Sequence, residues 1–161
     1  MSSPPDRDAA AVRVFPPAIP LVTLLVGIGL QRLWPINMDV QIPEVVRYGI
    51  GGLLVVGAIA LLGGWSVLLM RRSGQSENPW KPTTRIIERG PYRFTRNPMY
   101  LQMVVACLGF AVLLINPWIL ILTPVCAWTL QKLAIVPEEK YLEGKFGEVY
   151  TDYKRRVRRW I

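Results

Sequence analysis

The 161-residue chain contains no histidine. That absence excludes an imidazole general base and imidazole metal ligands from its chemistry. There are two cysteines, Cys107 and Cys126, each inside an apolar run. No CxxC pair exists, so a zinc site or a redox dithiol is not expected, and no metal is assigned. Charge is scarce too, at 19% of residues against roughly 25% in soluble domains. Acids are the scarcer sign: 11 Asp and Glu against 19 Lys and Arg, a net charge of +8.

What fills the space is apolar: 52% of residues, with a mean hydropathy of +0.29. This composition predicts an integral membrane protein, and the length allows one domain. Of the 19 basic residues, seven lie within 71–96 and eight within 132–159, flanking apolar runs. Such flanking charge suits membrane orientation and anionic lipid head groups; a nucleic-acid partner is not expected.

Residues 1–14 carry "SSPPD" and are expected to be disordered; they do not read as a signal peptide. Four apolar runs follow, at 15–34, 48–70, 100–115 and 117–136. A crossing needs about 20 residues, which the first two meet. The third is short, and the last two meet at Asn116-Pro117, so a pair of spans and a re-entrant hairpin both remain open. The fold expected is therefore all-α: a multi-pass membrane helical bundle of about four transmembrane helices. Residues 15–161 form the membrane domain, with spans one and two in 15–72 and a second half in 73–161. The second run holds Gly49, Gly51, Gly52, Gly57, Gly63 and Gly64, a packing face that also offers a homodimer contact. Basic residues place the 73–97 loop and both termini in the cytoplasm, with the acidic 35–47 loop (Asp39, Glu44) outside. In the tail, Leu142, Phe146, Val149, Tyr153, Val157 and Trp160 recur at helical spacing. They predict a C-terminal amphipathic helix lying on the membrane surface, beginning at Pro137.

Two polar stretches interrupt this pattern. The loop of about 25 residues before the third run is longer than a plain connector and ends in "RGPYRFTRNPMY". Pro98 suits a first helical turn and Asn97 its N-cap. A helix start beside Arg93 and Arg96 would also receive a carboxylate or phosphate. One hairpin later comes "VPEEKYLEGKFGEVYTDY". Its adjacent Glu138 and Glu139 point about 100° apart on a helix, and one of them suits an ammonium or hydroxyl group. Arginines at one helix start and carboxylates at another suit a zwitterion.

The array "NPWKPTTRIIERGPYRFTRNPMY", an apolar hairpin, then "PEEKYLEGKFGEVYTDYKRRVRRW" resembles the isoprenylcysteine carboxyl methyltransferase-like family, grouped with the phospholipid methyltransferases. The resemblance covers residues 78–160. It implies an S-adenosyl-L-methionine site at the cytoplasmic face and a lipid-like or hydrophobic methyl acceptor. Carried over by position, the first motif falls on Gly90, Pro91, Tyr92, Arg96, Pro98 and Tyr100. The second falls on Glu138, Glu139, Leu142, Phe146, Gly147, Tyr150 and Tyr153. The cofactor-binding residues so implied are Gly90, Pro91, Tyr92, Arg96, Asn97, Pro98, Tyr100, Glu138 and Glu139. Arg96, Asn97 and Glu139 are the catalytic candidates. Many members have histidine where this chain has Asn97, which can hydrogen-bond but cannot shuttle a proton near neutral pH. Methyl transfer from a sulfonium needs positioning rather than a protein nucleophile, so the missing histidine is no obstacle. Two other classes compete: an NADPH-dependent membrane lipid reductase with a related C-terminal half, and a non-catalytic scaffold that grips anionic lipid.

Overall fold

The computed structural model describes residues 9–12, 14–37 and 42–161. Among the described residues every regular element is helical. We number them α1 (Ala18–Leu33), α2 (Glu44–Arg72), α3 (Pro98–Leu113), α4 (Pro117–Phe146) and α5 (Glu148–Arg156). Residues 1–8 and 13, within the segment expected to be disordered, and Asp39 of the acidic loop lie outside the described residues. Ala10 and Val12, from the same leading segment, are buried in the core beside Tyr100 and Cys107.

Helices α2 and α4, of 29 and 30 residues, are long and apolar enough to cross a membrane. Their most apolar stretches are only 17% and 33% buried, the reverse of a helix in a soluble core. Leu53, Val56 and Leu61 on α2, and Leu120, Ile121, Val125 and Trp128 on α4, point outward. Apolar faces of that extent need a hydrocarbon partner. Helices α1 and α3 are apolar but have 16 residues each, about 24 Å at 1.5 Å per residue, against a core of about 30 Å. Of the four expected crossings, length alone supports two.

Helix α3 runs between α2 and α4, and α1 lies along α4. Small residues set the spacing. A Cβ added at Gly109 would lie 3.0 Å from the Gly51 carbonyl and 2.7 Å from Val55 Cγ2, so α2 and α3 approach backbone to backbone. The α3–α4 hairpin is closed by Asn116. Its Oδ1 accepts from the Ile119 N–H at 3.1 Å and its Nδ2 donates to the Gly27 carbonyl at 3.1 Å. One side chain thus caps α4 and ties it to α1.

The tail differs from expectation. Pro137 does not begin a helix; α4 runs through it to Phe146. A π-type turn at Gln131–Ile135 precedes the proline and accommodates its missing N–H within a continuous helix. The break comes ten residues later at Gly147, whose φ of 52° favours glycine. Helix α5 has nine residues and Val157 is extended. The predicted continuous apolar stripe is therefore interrupted: Val149 faces outward while Tyr150 and Tyr153 are buried. In place of one surface helix, the tail folds back over the end of α3.

Candidate functional site

The long polar loop between α2 and α3 is held by side chains that substitute for a sheet. Buried Gln75 receives the Thr84 N–H at 3.2 Å and donates to the Arg85 carbonyl at 3.1 Å. Trp80 donates its indole N–H to the Val12 carbonyl at 2.9 Å. Asn78 Oδ1 accepts from the Trp80 N–H at 2.9 Å in a local turn. The loop closes with a short 3-10 turn at Gly90–Arg93. Gly90 has φ 58°, and a Cβ there would fall 2.8 Å from Leu69 and 3.0 Å from Trp65, so the turn seats directly on α2. Tyr153 of α5 donates to the Tyr92 carbonyl at 2.7 Å and fastens the turn from the other side.

Between loop, helix ends and α5 lies a cavity of about 380 Å³, within the ~300–1,000 Å³ usual for small-molecule sites. Seven of the nine residues expected at a cofactor site line it: Tyr92, Arg96, Asn97, Pro98, Tyr100, Glu138 and Glu139. Gly90 and Pro91 do not; they shape the turn that presents Tyr92. Two motifs about forty residues apart thus share one chamber.

Their roles divide sharply. Glu139 is buried between two guanidiniums. Arg96 Nη2 lies 2.9 Å from its Oε1, while Arg159 reaches Oε1 through Nε at 3.1 Å and Oε2 through Nη2 at 2.7 Å. Both carboxylate oxygens are used, and Glu139 holds the site together. Glu138 is half-buried on the cavity wall, set against the Tyr100 hydroxyl, with no ion pair among the described residues. The Arg96 side chain is 7% exposed, yet its Nε and Nη1 have no hydrogen-bond partner. Buried donors left this way are uncommon and costly.

Asn97 and Pro98 occupy the N-cap and first positions of α3, as expected. The Asn97 side chain makes no capping bond, however. Its main-chain carbonyl accepts from the Tyr100 and Leu101 N–H groups, and its Nδ2 donates to the Arg159 carbonyl at 3.0 Å. Burial pushes the Tyr92, Tyr150 and Tyr153 hydroxyls up from the ordinary tyrosine range, so they stay protonated.

Sequence reasoning missed Arg159, which it grouped with lipid-facing charge, and Gln75 and Trp80, which carried no motif. Tyr150 belonged to the second motif without being placed at the site. Apolar residues lining the cavity, Phe15, Pro16, Pro17, Met70 and Met103, come from the segment before α1 and from α2 and α3. The chamber is therefore lined by a guanidinium with unpaired donors, a carboxylate and apolar side chains.

A family model described as phospholipid methyltransferase matches residues 46–149. The chain is 33% identical over 73 residues to Protein-S-isoprenylcysteine O-methyltransferase B of Arabidopsis thaliana, covering 45% of this chain and 37% of that protein. It is 33% identical over 72 residues to Protein-S-isoprenylcysteine O-methyltransferase of Saccharomyces cerevisiae, covering 45% and 30%. An uncharacterized protein of Haemophilus influenzae is 35% identical over 63 residues, 39% of this chain and 100% of that protein. The chain spans about a third of the length of the two isoprenylcysteine methyltransferases. No solved structure matches.

Proposed function

The chain belongs to the phospholipid methyltransferase family, and from that premise we propose that it is a membrane-bound, S-adenosylmethionine-dependent methyltransferase acting on a lipid-like or hydrophobic acceptor. The observation that carries this reading is Arg96: a nearly buried guanidinium with two nitrogens unsatisfied, lining a cavity that Glu138 also lines. The donor set fits an amino-acid-bearing nucleoside. Arg96 would take its carboxylate, Glu138 its ammonium or ribose hydroxyls, and Tyr92 and Tyr100 would flank its cationic sulfur.

When bound, S-adenosylmethionine would supply a sulfonium methyl group that passes in line to an acceptor lone pair, the old bond's electrons returning to sulfur. The protein's work is to bind, orient and exclude water. Tyr92 and Tyr150 form part of the wall and remain neutral. Asn97 holds the chain around Arg159 in place and so acts through position. A carboxylate or thiolate acceptor needs no base; an amine acceptor would give its proton to water or to Glu138. The apolar rim suits an acceptor arriving from the bilayer, a prenyl-cysteine carboxylate, a phospholipid amine or a small hydrophobic molecule. In the same reading the helices cross four times with the cavity at the cytoplasmic side, and outward Gly49 and Gly52 supply a contact for a homodimer.

Thermal unfolding of the purified protein tests this reading. S-adenosylmethionine or S-adenosylhomocysteine should raise the midpoint in a concentration-dependent way, by RT ln(1 + [L]/Kd) in free energy. Stabilisation by NADPH and by neither nucleoside would replace the reading with a reductase. No response to any of them, with function unaltered by Arg96→Ala, would favour a scaffold.

A further inference from the structure

We propose that Arg159 is a positioning residue for the anion-binding wall: it holds Glu139 so that Arg96 stays available to a ligand carboxylate. The proposal rests on the S-adenosylmethionine reading and deepens it.

Glu139 is the nearest acceptor to Arg96 and is buried with it. Left as a lone pair, such groups adopt a two-toothed arrangement in which the guanidinium spends two donors on one carboxylate. Here Arg159 takes that arrangement, through Nε and Nη2, and Arg96 touches Glu139 with a single nitrogen. Two guanidiniums share one carboxylate, so the cluster of Arg96, Glu139 and Arg159 carries one positive charge in excess. Arg96 lines the cavity, and its Nε and Nη1 are buried without a partner.

The register of Arg159 is built with care. Its carbonyl accepts from Thr95 Oγ1 at 3.1 Å and from Asn97 Nδ2 at 3.0 Å. The Arg96 N–H donates to the Arg158 carbonyl at 3.0 Å, and Trp160 donates its indole N–H to Gln131 Oε1 at 2.8 Å. Residues 158–160 are thus strapped across the start of α3, with contacts on both sides of Arg96. The bond to Glu139 also raises the affinity of Arg159 for its proton. Without Arg159, Arg96 would turn onto Glu139, and both the excess charge and the free donors would disappear.

Calorimetric binding of S-adenosylhomocysteine and of 5′-methylthioadenosine, which lacks the amino-acid moiety, tests the proposal. Arg159→Gln should weaken S-adenosylhomocysteine about tenfold or more and change 5′-methylthioadenosine by less than about threefold. The double variant Glu139→Gln/Arg159→Gln removes the competitor for Arg96 and should restore S-adenosylhomocysteine to within about threefold of wild type. That rescue is not expected of a residue that only supports the fold, and the double variant carries the test if Arg159→Gln does not fold. Equal loss for both nucleosides, no loss for either, or a folded double variant without recovery overturns the proposal while the wild type still binds. Failure of the wild type to bind either nucleoside overturns the proposed function and this proposal with it.

Discussion

Glu138→Gln and Glu139→Gln are the same chemical change one residue apart, and they should have opposite signatures. At Glu139 the substitution removes the one negative charge between Arg96 and Arg159, whose nitrogens lie 2.7–3.1 Å from its oxygens. Breaking a buried pair in this way typically costs about 3–5 kcal/mol. Arg159 is a third exposed, so the lower end, about 3 kcal/mol, applies. At roughly 2–4 °C per kcal/mol for a chain of this size, the unfolding midpoint should fall by roughly 6–12 °C. At Glu138 no ion pair is lost, and a partly buried carboxylate becomes neutral, so the midpoint should hold or rise. Ligand affinity should move the other way. Replacing a charge-assisted bond to an ammonium or ribose with a neutral one should cost about 1–2 kcal/mol, or roughly 5–30-fold in Kd. Unfolding scans in detergent and calorimetry with S-adenosylhomocysteine read the two effects separately. A Glu139→Gln protein of wild-type stability, together with a Glu138→Gln protein of wild-type affinity, would refute the division of labour.

Three further substitutions probe the scaffold. Gly90→Ala places a Cβ at φ 58° against Leu69 and Trp65 and should lower stability by about 2 kcal/mol; a wild-type unfolding midpoint would show that the turn is less confined than its geometry implies. Asn116→Ala loses the α4 cap and the bond to the Gly27 carbonyl, with about 1–2 kcal/mol expected in the same assay. Gly109→Val would separate α2 from α3 at their closest approach, costing about 1–3 kcal/mol and lowering the efficiency of engineered cysteine cross-links between the two helices.

Much of the fold was legible because its causes are local. Pro98 and Pro117 sit at first helical positions after Asn97 and Asn116, which is what proline's missing N–H dictates. The apolar runs announced the helices, and the polar loop announced a structured insertion. Pro137 misled for an equally physical reason. Its preference for helix starts is only a preference, and a π-type turn upstream lets a long helix absorb it. Gly147, not Pro137, ends the helix, because a positive φ stops propagation more decisively than one absent donor.

The site was half legible, and the missing half follows from range. Arg96 stood out because it lies at a helix start where charge has local meaning, and the two glutamates because adjacent acids follow Pro137 at the end of an apolar run. Which glutamate is taken up in an ion pair depended on Arg159, 20 residues beyond Glu139 in a run of basic residues that reads as surface charge. No periodicity marks which arginine of "KRRVRR" turns inward; hydrogen bonds from Thr95 Oγ1, the Arg96 N–H and Asn97 Nδ2 to the carbonyls of Arg158 and Arg159 decide it. Those bonds also account for Asn97. A histidine there would offer one ring N–H to the same carbonyl, whereas the amide gives that bond without adding a group that titrates near neutral pH. With the strap in place, the cluster of Arg96, Glu139 and Arg159 keeps one cation in excess, and Arg96 keeps two donors unspent.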